Sequence, residues 1–598
     1  MDTTVSARAS RARSTLSLDQ GWIVSRGNLV RSSVTTVVAA VLLVVVGSPA
    51  GAVPGVSGAE RRSETPVVSS SPVTEVEASM VSVFAPLPPD ALPHPPECDT
   101  LSYLRWKSVD GPTDSADADR ILVAQPGIFE GASAFESVAG NTVSAAAAQG
   151  SYVEFWALDR RSNCLEDHTG TRAALATGNL ETATDYYYGG AEIDGRTFDG
   201  FADGDRTAWL SNQGIEQTVR DQYDLLRFEL PDQKLRKEKV LCGGHSLGGF
   251  VTGYFAEWDF DGNPETLDDA GYNQCGGYFA LDTIVKAGTP PLVRGIPDLD
   301  LPAAVADPIA DLTGLVDSAL PVLALPAVIN PETTNLLAMA GVAARLDPGG
   351  VNDLVNVLPN NVNIDATLRA LLSKDALMAT TGNPSVRTLY ATNDAVLGAL
   401  LDDNSQPFGF LQASVGFIGA QPVVDKAFPT LPGMETLPVV GSALGDAKKA
   451  APALYGDPNT VYTWNDYDSL DSSPQTARYT DSSSEVTSIS QLARSLAEPP
   501  LDFTEWYFPT KLSTDLAQSS STAIREHRLH RDGVHRNPIL TLQGTGGIEL
   551  PPSGHPGDRP IVVQGYNHLD VLTAARTQNN GLPEVVSTEL ARFAANPS

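Results

Sequence analysis

Short apolar runs closed by turn residues recur along the chain: Ile121 to Ala124 before Gln125-Pro126-Gly127, Tyr152 to Leu158 before Asp159, Val240 to Cys242 before Gly243-Gly244, and Tyr278 to Leu281 before Asp282. Two more lie far downstream, Pro538 to Leu542 ahead of Gly544 and Ile561 to Val563 ahead of Gly565. Runs that are apolar at every position suit strands buried on both faces, and helical patterns separate them. The chain therefore predicts an α/β fold, a mostly parallel sheet flanked by helices. The clearest helix follows Gly244-His245-Ser246. There Leu247, Phe250, Val251, Tyr254, Phe255 and Trp258 recur with helical spacing and form one continuous buried face. A closing helix is expected from Pro583, with Val586, Leu590 and Phe593 on one side.

Residues 1–52 follow a different pattern. Arg8, Arg11, Arg13, Arg26 and Arg31 precede an apolar run from Val34 to Val46 and then Ala50-Gly51-Ala52, the layout of a secretory signal peptide cleaved after Ala52. The run is shorter than the roughly 20 apolar residues that span a bilayer, although counting on to Val53 leaves a signal anchor as the alternative. No later segment is long and apolar enough to span. The mature protein is thus expected to be secreted and extracellular, or associated with the cell envelope by other means. Residues 53–97 are rich in Pro, Ser, Val and Glu without periodicity, which predicts a disordered linker. A net charge of -32, from 72 acidic against 40 basic residues, argues against nucleic acid or an anionic lipid surface as the main partner. The four cysteines could form two disulfides in an oxidising compartment.

Gly244-His245-Ser246-Leu247-Gly248 places a serine at a sharp strand-to-helix turn, where glycines are needed because the backbones crowd together. With it go the Pro126-Gly127 to Gly131 turn after the third strand, the Asp159-Arg160-Arg161-Ser162-Asn163 turn after the fourth and Gly565-Tyr566-Asn567-His568 after the eighth. In these motifs the chain resembles the α/β-hydrolase family. The resemblance covers core segments 98–283 and 531–598. It implies a large, mainly helical cap or lid inserted between strands 6 and 7, at 284–530. Helices are expected there from Asn330-Pro331 to Leu346 and from Thr367 to Ala379, with proline-rich breaks from Pro429 to Pro438 and an aromatic, polar patch at Tyr462 to Tyr467. In this fold Cys242 and Cys275 would lie on or beside neighbouring strands, which suggests pairs Cys98–Cys164 and Cys242–Cys275; Cys242 as a small buried hydrophobe is the alternative.

A serine hydroxyl is a poor nucleophile at neutral pH and needs a base, which a third group orients. Ser246 is the candidate nucleophile. His568, after the last strand, is the candidate base, since the fold's chain order is serine, acid, histidine. The other histidines fall in the linker, in polar or charged segments, or, for His245, at the variable position of the elbow. The acid is open. Relatives most often carry it after the seventh strand, but Gly544-Thr545-Gly546-Gly547-Ile548-Glu549 puts glycine in the expected place. Asp282, at the end of the sixth strand, is preferred over Glu549, with Asp515 and Asp570 behind. The N–H of Leu247, at a helix N-terminus, is one expected oxyanion donor, and the family's usual arrangement implies Ile128 as the other.

No cofactor and no metal is expected. Asp259 to Asn263 resembles a calcium loop, but its glycine and Ala270 depart from the EF-hand template, leaving only a site of another geometry. The charged Asp159–Asp167 segment is read as a paired network holding its loop. Together these features predict a secreted serine hydrolase cleaving carboxylic esters with a hydrophobic acyl or alcohol part, its partner a small-molecule or lipid ester. A peptidase or acyltransferase on the same fold, or a catalytically silent cell-envelope binding protein, are the alternatives.

Overall fold

The computed structural model describes residues 61–288, 303–324, 329–426, 449–548, 550, 554, 558–578 and 581–597. The expected signal segment and the breaks at Pro429 to Pro438 lie outside the described residues, as does Glu549.

The first seven strands among the described residues are β1 (Arg62–Pro66), β2 (Val76–Phe84), β3 (Thr100–Ser108), β4 (Arg120–Gln125), β5 (Val153–Leu158), β6 (Val240–His245) and β7 (Gly277–Leu281). Next in the chain lie the short β8 (Gly416–Gly419), β9 (Val423–Lys426), β10 (Lys449–Pro452) and β11 (Thr463–Asp466), followed by β12 (Ile539–Gly546) and β13 (Arg559–Asn567). Nine strands form one sheet in the order β1-β2-β3-β5-β4-β6-β7-β12-β13. From β5 to β13 every pairing is parallel; β1, β2 and β3 join antiparallel at one edge.

Alternation within the central strands produces two cores. Leu122 and Ala124, Phe155 and Ala157, Leu241, Phe279 and Leu281 face one layer. Ile121 and Val123, Trp156 and Leu158, Val240 and Cys242, Tyr278 and Ala280 face the other. A strand covered by helices on both sides is apolar on both faces, which is why these runs show little polar alternation; buried Glu154 in β5 is an exception, paired with Arg105.

The linker expectation is corrected from residue 62 onward. Residues 62–66 and 76–84 are strands, because Val81 and Val83 alternate with polar residues and bury under the sheet edge while β2 pairs along its whole length with β3. Averaging composition over 53–97 hides that alternation. The proposed disulfides Cys98–Cys164 and Cys242–Cys275 both form, the second tying β6 to the residues just before β7.

Between β7 and β12 the helix Pro331–Leu346 starts at Asn330, whose side chain takes the N–H groups of Glu332 and Thr333 in a capping box. The expected helix from Thr367 to Ala379 is instead two helices, Val362–Leu372 and Ala376–Thr381, because Asp375 caps the second by accepting from the Met378 N–H. Within the Tyr462 to Tyr467 patch, Tyr462 is fully buried and β11 pairs with β8. The closing helix is Val585–Ala595, with Val586 and Leu590 buried. Among the described residues no helix is long and apolar enough to cross a membrane.

Candidate functional site

Ser246 sits between β6 and the helix Leu247–Glu257 with φ 53° and ψ -118°, a strained backbone for a non-glycine residue. The turn is possible because its neighbours lack side chains. A Cβ on Gly248 would lie 2.1 Å from the Gln125 carbonyl oxygen, and one on Gly244 2.5 Å from the same atom. Leu247 opens the helix, so its N–H has no preceding turn to donate into. Ile128 follows Gly127 and, with Ser246, lines a small cavity.

His568 follows β13 directly, and its ring is buried. Its Nδ1 lies 2.5 Å from Asp282 Oδ2. Asp282 stands just past the end of β7, fully buried, with φ 43°. Its carboxylate accepts two more hydrogen bonds, from Gly544 N at 3.0 Å and Ile548 N at 2.9 Å. A carboxylate on Nδ1 keeps the proton there and leaves Nε2 free to take one from elsewhere.

The turn after β12 explains why glycine occupies the place where an acid was expected. A Cβ on Gly547 would come within 2.2 Å of both Asp282 oxygens, so the empty position is the space the carboxylate fills. Asp515 and Asp570 are engaged elsewhere: Asp515 accepts from Ile215 N and Lys511, and Asp570 from Ser414 N, Thr487 and Asn567 N.

The sheet order, the elbow after β6 and the histidine after the last strand together decide the architecture. This is the α/β-hydrolase fold. No family model and no curated protein matches the chain. Among solved structures, epoxide hydrolase A from Mycobacterium thermoresistibile is 13% identical and aligns over 83% of this chain and 95% of its own, with a TM-score of 0.30. The peroxisomal α/β-hydrolase Lpx1 from Saccharomyces cerevisiae is 10% identical over 88% of each chain, with a TM-score of 0.31. The thioesterase domain from the curacin biosynthetic pathway is 10% identical over 83% of this chain and 95% of its own, with a TM-score of 0.23.

Within this α/β-hydrolase fold, Ser246 and His568 line one cavity with Ile128, Phe129, Phe410 and Phe503. Its free space is about 20 Å³, room for a single water. Larger hollows of about 290 Å³ and 510 Å³ touch neither Ser246 nor His568. The Ser246 hydroxyl is buried and makes no hydrogen bond among the described residues. Bonds between nucleophile and base commonly tighten only when substrate binds. Burial and the neighbouring His245 charge push the His568 pKa below its usual 6.5, against the pull of Asp282. The neutral ring therefore persists below pH 6.5. Any rate that needs His568 as a base should hold to below that pH and then fall, which a kcat/KM profile would read as an acidic limb under 6.5.

Arg160, expected only to hold its own loop, and Glu130 and His245, expected in no role, build the rest of the site. Arg160 donates to the Pro126 carbonyl at 2.6 Å and the Gly127 carbonyl at 2.8 Å, and pairs with buried Glu505 at 2.5 Å. The charged loop after β5 thus holds itself and also grips the turn beside Ser246. Glu130 accepts the Gly127 N–H and contacts His245 Nδ1 at 2.9 Å. Glu130 carried no distinguishing sequence signal except its place in the Pro-Gly turn; His245 looked like a free position of the elbow. Gly127 is packed on three sides, its hypothetical Cβ lying 2.5 Å from Glu130 Oε2, 3.0 Å from Ser246 Cβ and 3.3 Å from His245 Nδ1. Gly127→Val should displace the turn that carries Ile128 and lower kcat by on the order of 10² to 10³ while thermal stability changes far less, a split that steady-state kinetics and a melting curve would check.

Proposed function

We propose that this chain is an exported serine hydrolase acting on carboxylic esters with a hydrophobic acyl or alcohol part. The observation that carries the reading is the 2.5 Å contact between His568 Nδ1 and Asp282, with the same imidazole in the wall of the cavity that holds Ser246. Ser246 Oγ attacks the ester carbonyl carbon as its proton passes to His568 Nε2. The developing oxyanion is held by the N–H groups of Leu247 and Ile128. His568 returns the proton to the departing alcohol. Water, deprotonated by the same ring, then cleaves the acyl-enzyme to the free acid.

The apolar lining from Ile128, Phe129, Phe410 and Phe503 supports a hydrophobic group on the substrate. The signal-like leader and the two disulfides support export. The glycine at the acid's usual place after β12 favours a silent binding protein; Asp282 on His568 weakens that reading. The test is turnover of p-nitrophenyl esters of graded acyl length by the purified chain. Hydrolysis that improves from acetate toward longer chains is the expected result, and no turnover of any ester would overturn the assignment.

A further inference from the structure

Beside the Asp282–His568 pair lies a second buried imidazole–carboxylate pair that the reaction above does not use. Glu130 is buried, and one of its oxygens, Oε2, both accepts the Gly127 N–H and meets His245 Nδ1 at 2.9 Å. The other ring nitrogen of His245, Nε2, lies 3.0 Å from the backbone carbonyl oxygen of His568. The two histidine rings are 4.4 Å apart, centroid to centroid. Both partners of the His245 ring, a carboxylate and a carbonyl, are acceptors. A ring with an acceptor on each nitrogen needs a proton on each, which makes it an imidazolium.

We propose that Glu130 and His245 are positioning residues, a buried ion pair that ties the Gly127–Ile128 oxyanion turn to the backbone of His568. One end of the chain of bonds is the turn that would hold the oxyanion; the other is the residue that moves the proton. The pair thus fixes the distance between two parts of the machinery that come from β4 and β13, elements far apart in sequence. The groups facing His245 are Glu130 from the turn after β4, Asp282 from the end of β7 and His568 after β13, while Arg160 reaches the Glu130 carbonyl oxygen from the β5 loop. Against burial, the Glu130 charge holds the His245 pKa above its usual value. The resulting positive charge is one of the causes that lower His568.

The inference rests on the serine-hydrolase reading for its kinetic consequence but not for the protonation state. On the full chain with ¹⁵N-labelled histidine, long-range ¹H–¹⁵N spectra at pH 7.5 should show both His245 ring nitrogens protonated and His568 neutral. His245 with one bare nitrogen would overturn the ion pair, whatever the activity. Glu130→Gln should lower kcat on the order of 10²-fold with KM nearly unchanged. His245→Gln should do the same and also move the acidic limb of kcat/KM to higher pH, because His568 loses a like-charged neighbour. A merely structural role would leave that limb in place, and an unshifted limb in a folded His245→Gln protein would refute the proposal. If the wild-type chain hydrolyses no ester, the function above falls, while the spectra still decide the ion pair.

Discussion

Asp282→Asn is expected to slow ester hydrolysis by about 10⁴-fold with little change in fold. The asparagine keeps the volume that Gly547 leaves open, and its carbonyl oxygen still accepts from Gly544 N or Ile548 N. What it loses is the charge on His568 Nδ1. An amide can turn its NH₂ toward the ring, which moves the imidazole proton to Nε2 and points a donor, not an acceptor, at Ser246. Burst kinetics with a p-nitrophenyl ester would show acylation as the damaged step. Residual activity within tenfold of wild type would mean that another carboxylate orients the ring, and Glu549, the one alternative outside the described residues, would be the next to replace.

Ser246→Ala should have the largest effect, a fall in kcat on the order of 10⁶-fold, comparable to removing the whole triad. Among the described residues the Ser246 hydroxyl makes no hydrogen bond, so the fold shown does not depend on it. The strained φ of 53° is imposed by the crowding of Gly244 and Gly248 against Gln125, and alanine adopts it no less readily than serine. A melting temperature within a few degrees of wild type beside a complete loss of turnover would therefore separate chemistry from folding.

The parts of this molecule that could be read in the chain are those where local pattern and tertiary role coincide. The elbow is local, because the strand, the glycines and the helix that force Ser246 outward are contiguous. His568 is local too, as it directly follows the last strand. The acid is not local. Its identification depends on which carboxylate lies under the histidine after the sheet closes, and the decisive sign was an absence: Gly547 lacks a side chain because Asp282 occupies that space. The Glu130–His245 pair was invisible for a similar reason. Its two members are joined only across the β4–β6 pairing, and each alone resembles a loop acid or a variable elbow position. The edge strand β2 was missed because its alternation is confined to Val81 and Val83 in a Pro- and Ser-rich surround, and β1 because it is mostly exposed and buries no face. The helix broken at Ser373 was missed because a cap acts through one aspartate and not through periodicity.

The most direct test is to treat the intact protein with a fluorophosphonate probe and map the adduct by peptide mass spectrometry. The expected result is a single adduct on Ser246, absent in Ser246→Ala and strongly slowed in His568→Ala. An unlabelled protein, or an adduct on another residue, would contradict the placement of a reactive alcohol at this elbow.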